Sequence, residues 1–512
     1  MTGVVADAPA DIAEPLADDR AVRHERFPLR PVMVSVAISI ALRARFLTTP
    51  LSADEGGYLA VARAWASGQT LYGQAWVDRP QGLLLLFRIW DDLTGGSPIA
   101  IRVMAILFGC LAVVGVAYAV FTIAGPRAAA AASLFVAVAS ANARIEGFIA
   151  NGELLAGALA AAGVSAACAY LFRGRGLSWL FVSGALAGCA MSLKQSGFDG
   201  FMAIVICIVA GGLTGEARWR QVAQECAICI AGLASVLGLL VVDGALVGFR
   251  AWWYAVAGYR LNGLNASDAD WHRFGITGRL AAPTVLPLIG AALIGVVIWL
   301  SRSRRISRST VLIPAWLCFA ALAFVTGGLF HRHYWVTLTF PLAAAAALGI
   351  ARIKPSLAIL LVCLAIIPSL ISSAKVIVLD RAEVPITAHD DPRPVVDERV
   401  GKWYAANRTP DSTLYIMCAS AGAYASADAI PPYPYLWFDG VLHAKNSQQM
   451  LVDLFAGAHP PTFVAVYQSA LTCNSSGQVD TLLKQHYVTL TAVDGAVIMG
   501  LRNPSARVSP FR

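Results

Sequence analysis

Long apolar runs broken by short polar connections make up most of the chain as far as residue 375. A membrane span needs roughly 17 to 25 such residues to cross a hydrocarbon core of about 30 Å. Runs of this kind lie near 32–48, 98–124, 128–142, 150–172, 177–194, 197–214, 222–248, 281–300, 311–329, 334–351 and 355–374, which predicts about eleven transmembrane helices. Beyond 375 the period changes. "STLYIM" and "TFVAVY" read as strands, "NSQQMLVDLFAG" and "QVDTLLKQH" as helices, and "YVTLTAV" with "AVIMGL" as a closing hairpin around Asp494 and Gly495. The expected architecture is an α-helical polytopic membrane domain over 31–375, preceded by a cytoplasmic N-terminal tail of residues 1–30. A small α/β domain over 376–512 follows, long enough to bury its own core.

Composition agrees with the pattern. Hydrophobic residues are 57% of the chain and charged residues only 14%, with a mean hydropathy of +0.64, against roughly 25% charged in a soluble domain. The net charge of +8 is scattered over short loops and forms no dense stripe, so nucleic acid is excluded as a partner and the lipid bilayer takes its place. Arg20 to Arg30, Arg127, Arg173 with Arg175, Arg218 with Arg220, "RSRRISR" at 302–308, and Arg352 with Lys354 fall in alternate connections. The positive-inside rule places that set in the cytoplasm and, with an odd number of spans, the tail outside. The N-terminal stretch lacks a small-residue cleavage site and reads as an uncleaved signal-anchor. Richness in Ala, Arg and Gly points to a GC-rich bacterium, hence to its plasma membrane and envelope. Eight of the ten cysteines lie inside apolar spans and read as small buried hydrophobes. Cys418 and Cys473, alone in the polar tail, form a disulfide if the tail is outside.

The remaining connections then share one face. They hold Asp54, Glu55, Asp78 and Arg79, next Glu146 and Glu153, next Lys194 and Gln195, then the loop 249–280 and "HRHYW" at 331–335. One ionisable group at a span end is usually a snorkelling anchor; five polar clusters on one face, with both signs of charge, suit a site. "DEGGY" sets Asp54 and Tyr58 one helical turn apart, and Tyr58, Leu59, Ala62, Trp65 and Ala66 make a stripe typical of a helix lying in the interface. Asp54 and Glu55 also read as that helix's cap, although a cap uses one acidic side chain. Arg79, presented by Pro80, suits a phosphate oxygen or a salt bridge to Asp78 or Glu153. His331, Arg332, His333 and Tyr334 suit an anion at headgroup level; as zinc ligands the two histidines are a weak pattern. Lys194 is a donor on this face or a snorkelling anchor. Arg260, Asp268, Asp270 and His272 cover a sugar or lie on the membrane.

Taken in order, "DEGGY", "VDRPQGLL", Arg102 in the second span, "NGELLAG", "LKQSG" and "HRHYWVTLTFP" resemble the motifs of the GT-C membrane glycosyltransferases. The branch in question is that of the protein O-mannosyltransferases and lipid A aminoarabinose transferases. The resemblance spans residues 32–375 and lies in the succession of motifs. It implies a polyprenyl-phosphate-sugar donor, with mannose or arabinose expected, and inverting transfer outside the cell to a glycan, glycolipid or protein acceptor. Asp54 matches the catalytic base, Tyr58 a donor-site tyrosine, and Glu153 a second acidic residue. Arg79 takes the place of the lysine in a "KPPL" motif. Gly57 stands where some relatives have Arg, and "DRPQG" replaces "EKPPL", which leaves the sugar and the phosphate contacts open.

The chemistry asks for a carboxylate to take the acceptor's proton and for positive charge where phosphate charge develops. Asp54 is the expected base and Glu55 a supporting acid. Tyr58, Arg79, Lys194, His331, Arg332, His333 and Tyr334 are the expected phosphate-binding groups, and Asp78 and Glu153 the supporting or acceptor-side ones. No obligatory cofactor is expected; other GT-C enzymes bind a divalent cation through first-loop acids, and Asp54 with Glu153 has the ligand chemistry for one. The competing readings are a transporter or flippase, favoured by Asp243 within a span, and a non-catalytic assembly subunit acting through its tail.

Overall fold

The computed structural model describes residues 25–263, 270–303, 305–418 and 420–502. Arg20, Arg23, Asp268 and Arg304 lie outside these. The apolar runs form the helices Leu29–Ala44, Pro98–Ala139, Gly152–Arg173, Ser178–Leu193, Asp199–Leu213, Trp219–Trp253, Trp271–Ser301, Arg308–Thr326, Tyr334–Ile350 and Pro355–Ile377. Among the described residues six helical stretches are long and apolar enough to cross a membrane, and three further apolar helices are shorter. The protein is a multi-pass membrane protein. The expected runs 98–124 and 128–142 meet at Gly125, whose φ of 81° and ψ of −176° break the helix just before Pro126. Glycine adopts that backbone without a Cβ penalty, and the proline that follows donates no N–H. Nearly every side chain of Tyr334–Ile350 is buried, so this helix lies at the centre of the bundle. Leu239, Leu246, Leu286, Leu293, Ile359 and Leu364 stay exposed around it, as lipid-facing aliphatic side chains do in a solvent as apolar as they are.

The first long connection holds two helices. Ala53–Ala66 begins with a capping box, in which the Ser52 hydroxyl accepts from the Glu55 N–H and the Glu55 carboxylate accepts from the Ser52 N–H. The apolar stripe predicts a helix lying on the membrane; instead Glu55 to Ala62 are all buried, because the tail domain covers what the bundle leaves open. Gln81–Thr94 is a second, amphipathic helix that the span pattern does not announce, with Leu85, Ile89 and Leu93 exposed four residues apart.

The tail contains a four-stranded sheet in the order β1 (Leu414–Met417), β2 (Phe463–Val466), β4 (Ala496–Leu501), β3 (Tyr487–Val493). β1 and β2 run parallel, and β4 is antiparallel to both β2 and β3. The helices Ser447–Ala456 and Gln478–His486 stand where the sequence places them. Cys418 and Cys473 are joined, tying the end of β1 to the segment after β2. The domain does not hang free: Arg63 donates to the Ala425 carbonyl at 3.2 Å, and a bridge links Trp76 to Tyr435.

Candidate active site

Six connections converge where the tail domain meets the bundle. Asp54 lies in the first turn of Ala53–Ala66. Its Oδ1 accepts from the indole N–H of Trp437 at 3.1 Å, and its Oδ2 lies 3.9 Å from His333 Nε2. The same His333 nitrogen is 3.6 Å from Glu153 Oε1. Glu153 opens the helix Gly152–Arg173, capped by Asn151, where the helix dipole favours a carboxylate; Lys194, at the end of Ser178–Leu193, pairs with it. The Lys194 ammonium also sits 4.1 Å above the Tyr334 ring. Of the acids here, Asp54 is the accessible one: its side chain is 21% exposed, against 4% for Glu153 and none for Glu55.

A cationic group adjoins this cluster. Pro80 starts the helix Gln81–Thr94 in extended backbone, and the Tyr72 hydroxyl donates to the Arg79 carbonyl at 2.8 Å. Arg79 Nη1 reaches Asp78 Oδ1 at 2.9 Å, and Arg260 pairs with the other Asp78 oxygen. Gln195 holds this corner through the carbonyls of Asp78 and Val256, each at 3.0 Å. Burial opposes the charge on Asp78, yet Arg79 and Arg260 hold its carboxyl below the usual range. Arg79 lies close enough to Tyr58, Tyr334 and Asp54 to interact electrostatically with each. Tyr58 packs between Phe87 and Trp437, with ring centroids 5.5 Å from both.

Two expected site residues are turned to other partners, and a third, His331, sits beside His333 and Tyr334. The Glu55 carboxylate accepts from Ser52 and from the Ala150 N–H at 2.8 Å, and meets Arg102 Nη2 at 3.0 Å. It is a buried strut between three elements, because the cap and the charge pair use Oε2 and the Ala150 N–H uses Oε1. Arg332 donates to the carbonyls of Thr387 and Ala388 at the end of the helix Glu383–His389, where a helix end offers negative charge to a cation. His331 stacks on His333 with centroids 5.5 Å apart, and burial, then the neighbouring His333 and Arg273, push its pKa down to about 3. Asp243, the residue that favoured a transport reading, lies 3.3 Å from the Gln81 amide, which also bonds the Leu240 carbonyl.

Four residues outside the expected set belong to the cluster. Glu146, in left-handed backbone with φ 59°, joins His333 Nδ1 at 2.8 Å to His389 Nδ1 at 2.9 Å. Arg260 and Trp437 complete it. Burial disfavours a charged His333, but Glu153, Glu146 and Asp54 outweigh that and raise its pKa to about 9. Glu146 carried a sequence signal, an acid in a connection on the right face; Trp437 and His389 are separated from Asp54 by more than three hundred residues and carried none.

Asp54 and Glu153 have the ligand chemistry for a divalent cation, but their oxygens already face other partners. His333 Nε2 stands between Asp54 and Glu153, and Lys194 occupies Glu153, so an ion there would displace two cations. Among the described residues no group of three or more His, Cys, Asp or Glu side chains is arranged to hold a metal ion. The arrangement does not fit one.

By sequence the chain matches no protein-family model and no curated protein. By structure it is similar to ArnT from Cupriavidus metallidurans bound to undecaprenyl phosphate, at 12% identity and a TM-score of 0.63, covering 94% of this chain and 99% of that one. The oligosaccharyltransferase AglB from Archaeoglobus fulgidus, in complex with an inhibitory peptide and a dolichol-phosphate, superposes with a TM-score of 0.58 at 12% identity, covering 94% and 75%. The arabinofuranosyltransferase AftD from Mycobacteria gives 0.52 at 13% identity, covering 94% of this chain and 40% of that one. The fold implied by the succession of loop motifs agrees with the fold observed, which this chain shares with ArnT, AglB and AftD.

Proposed function

We propose that the protein is a glycosyltransferase of a bacterial plasma membrane, with its N-terminus cytoplasmic and its tail domain outside. It moves a sugar, mannose or arabinose, from a polyprenyl-phosphate carrier to a hydroxyl of an envelope glycan, glycolipid or protein. The observation that carries this reading is the pairing of one accessible carboxylate, Asp54, with a cationic corner of Arg79, Arg260, Lys194 and His333 in a GT-C fold. The acceptor oxygen attacks the anomeric carbon from the face opposite the phosphate, so the configuration inverts. Its proton passes to Asp54 as the new C–O bond forms. The bond from the anomeric carbon to the phosphate oxygen breaks with its electron pair on oxygen, and polyprenyl phosphate leaves. The leaving group is already a good one and needs positive charge rather than a general acid. Arg79 and Arg260 release Asp78 to meet it, and Lys194 with His333 holds Glu153 in place.

The test is transfer by the purified protein from labelled polyprenyl-phosphate-mannose and polyprenyl-phosphate-arabinose to a mixed envelope-glycan acceptor. Asp54→Asn is expected to lower transfer by about 10²–10⁴-fold, the range of a lost general base, while it still binds polyprenyl phosphate. Substantial transfer by Asp54→Asn would remove the mechanism.

A further inference from the structure

The tail domain reaches the Asp54 carboxylate through the side chain of Trp437, and the bundle is shaped to receive it. We propose that Trp437 is a positioning residue for Asp54, so that the α/β domain completes the catalytic centre rather than only serving the acceptor. This rests on the transferase reading above. Trp437 stands in extended backbone just before the helix Phe438–His443, and its indole N–H donates to Asp54 Oδ1 at 3.1 Å. An aspartate carboxylate turns freely about its last bond. With Oδ1 held, Oδ2 is the oxygen directed toward His333 and, beyond it, Glu153. An indole N–H only donates and has no lone pair to accept a proton, so it fixes the base without competing with it.

The contact is a built one. A Cβ on Gly57 would lie 2.4 Å from a ring carbon of Trp437, and a Cβ on Gly56 would lie 2.5 Å from the Cα of Gly422. The two glycines that follow Asp54 and Glu55 thus let the tail domain close on the very turn that carries the base. Tyr58 flanks the indole on the bundle side. The segment after Trp437 is clasped from the other side, where Tyr259 bonds Asp439 and the Tyr254 hydroxyl accepts from the Lys445 N–H at 3.0 Å. Within the tail, the Ser420 hydroxyl bonds both Asp397 oxygens, at 2.6 and 2.7 Å, and so secures the start of the segment that meets Gly56.

Trp437→Phe keeps the ring and removes the N–H. In the full-length protein it should lower kcat by about 10- to 100-fold, the worth of one hydrogen bond to a charged group. The KM for donor and acceptor and the melting temperature should stay at their wild-type values. A wild-type kcat in Trp437→Phe would overturn the proposal, and so would a loss accompanied by a matching fall in melting temperature. A second measurement needs no activity: carbodiimide labelling of Asp54, read by peptide mass spectrometry against the exposed Asp411, should rise several-fold in Trp437→Ala. Unchanged labelling would overturn the contact. If labelling rises but the wild-type protein transfers sugar from neither donor, the docking of Trp437 on Asp54 stands and the transferase reading, with the positioning role, falls.

Discussion

Glu55→Gln separates a structural acid from a chemical one. The wild-type carboxylate accepts from the Ser52 N–H at 3.0 Å, the Ser52 hydroxyl at 3.1 Å and the Ala150 N–H at 2.8 Å, and it neutralises Arg102. Both partners are buried, at 0% and 1% exposure. Glutamine keeps the shape and an acceptor oxygen but leaves Arg102 without its paired carboxylate, facing the Pro50 carbonyl at 2.9 Å, the Phe148 carbonyl at 3.4 Å, the Phe148 ring and the more distant charge of Glu146. Removing one partner of a buried pair costs about 3–5 kcal/mol. The retained cap and the two carbonyls place this variant at the lower end, about 3 kcal/mol, a large share of the roughly 5–15 kcal/mol that holds a typical fold. Thermal unfolding in detergent should therefore show a melting temperature several degrees below wild type, with transfer per folded molecule nearly unchanged. Adding Arg102→Leu removes the orphaned charge and should recover part of the loss. The reasoning is refuted if Glu55→Gln melts like wild type yet transfers nothing, because Glu55 would then act in the chemistry.

On the proposed function, Arg79→Ala and Arg260→Ala should each raise the donor KM by about 10- to 100-fold, as loss of a charge-assisted phosphate contact would; an unchanged donor dependence would leave both as counter-ions of Asp78 alone. His333 carries a pKa raised to about 9, above the unfolded value of about 6.5. Its stabilising charge is therefore fully present below about pH 6.5 and lost as pH rises through 9, so melting temperature should decline over that window and His333→Gln should flatten the decline. The Cys418–Cys473 bond closes a loop with a sequence separation of 55, for which chain entropy gives about 4 kcal/mol. Cys473→Ser should accordingly lower the unfolding temperature of the tail domain, followed by its proteolysis, before that of the bundle.

Spans, strands and the disulfide were readable because each rests on a local or compositional rule. A run of apolar residues crosses a membrane whatever its neighbours, alternation with a Asp494–Gly495 turn makes a hairpin, and two cysteines in a polar region have only each other. The convergence of loops on one face was readable for a related reason: helices of fixed length return the chain to the same side, which placed Asp54, Asp78, Arg79, Glu153, Lys194 and His333 within reach of one another. Gln81–Thr94 escaped because it is too short and too amphipathic to look like a span. The direction of each side chain was not readable at all. Glu55 and Asp54 are adjacent and chemically alike, but a helix turns about 100° between them, so one points into the bundle at Arg102 and the other toward the tail domain.

What the sequence determined by itself was a membrane-embedded helical body, a small α/β tail and the face on which its charges collect. The tertiary structure alone decided which of those charges face one another, since a carboxylate's role depends on whether its oxygens are already used. It also brought in Trp437 and His389, because contacts between groups hundreds of residues apart are set by how the tail domain packs on the bundle and not by any local pattern in the chain.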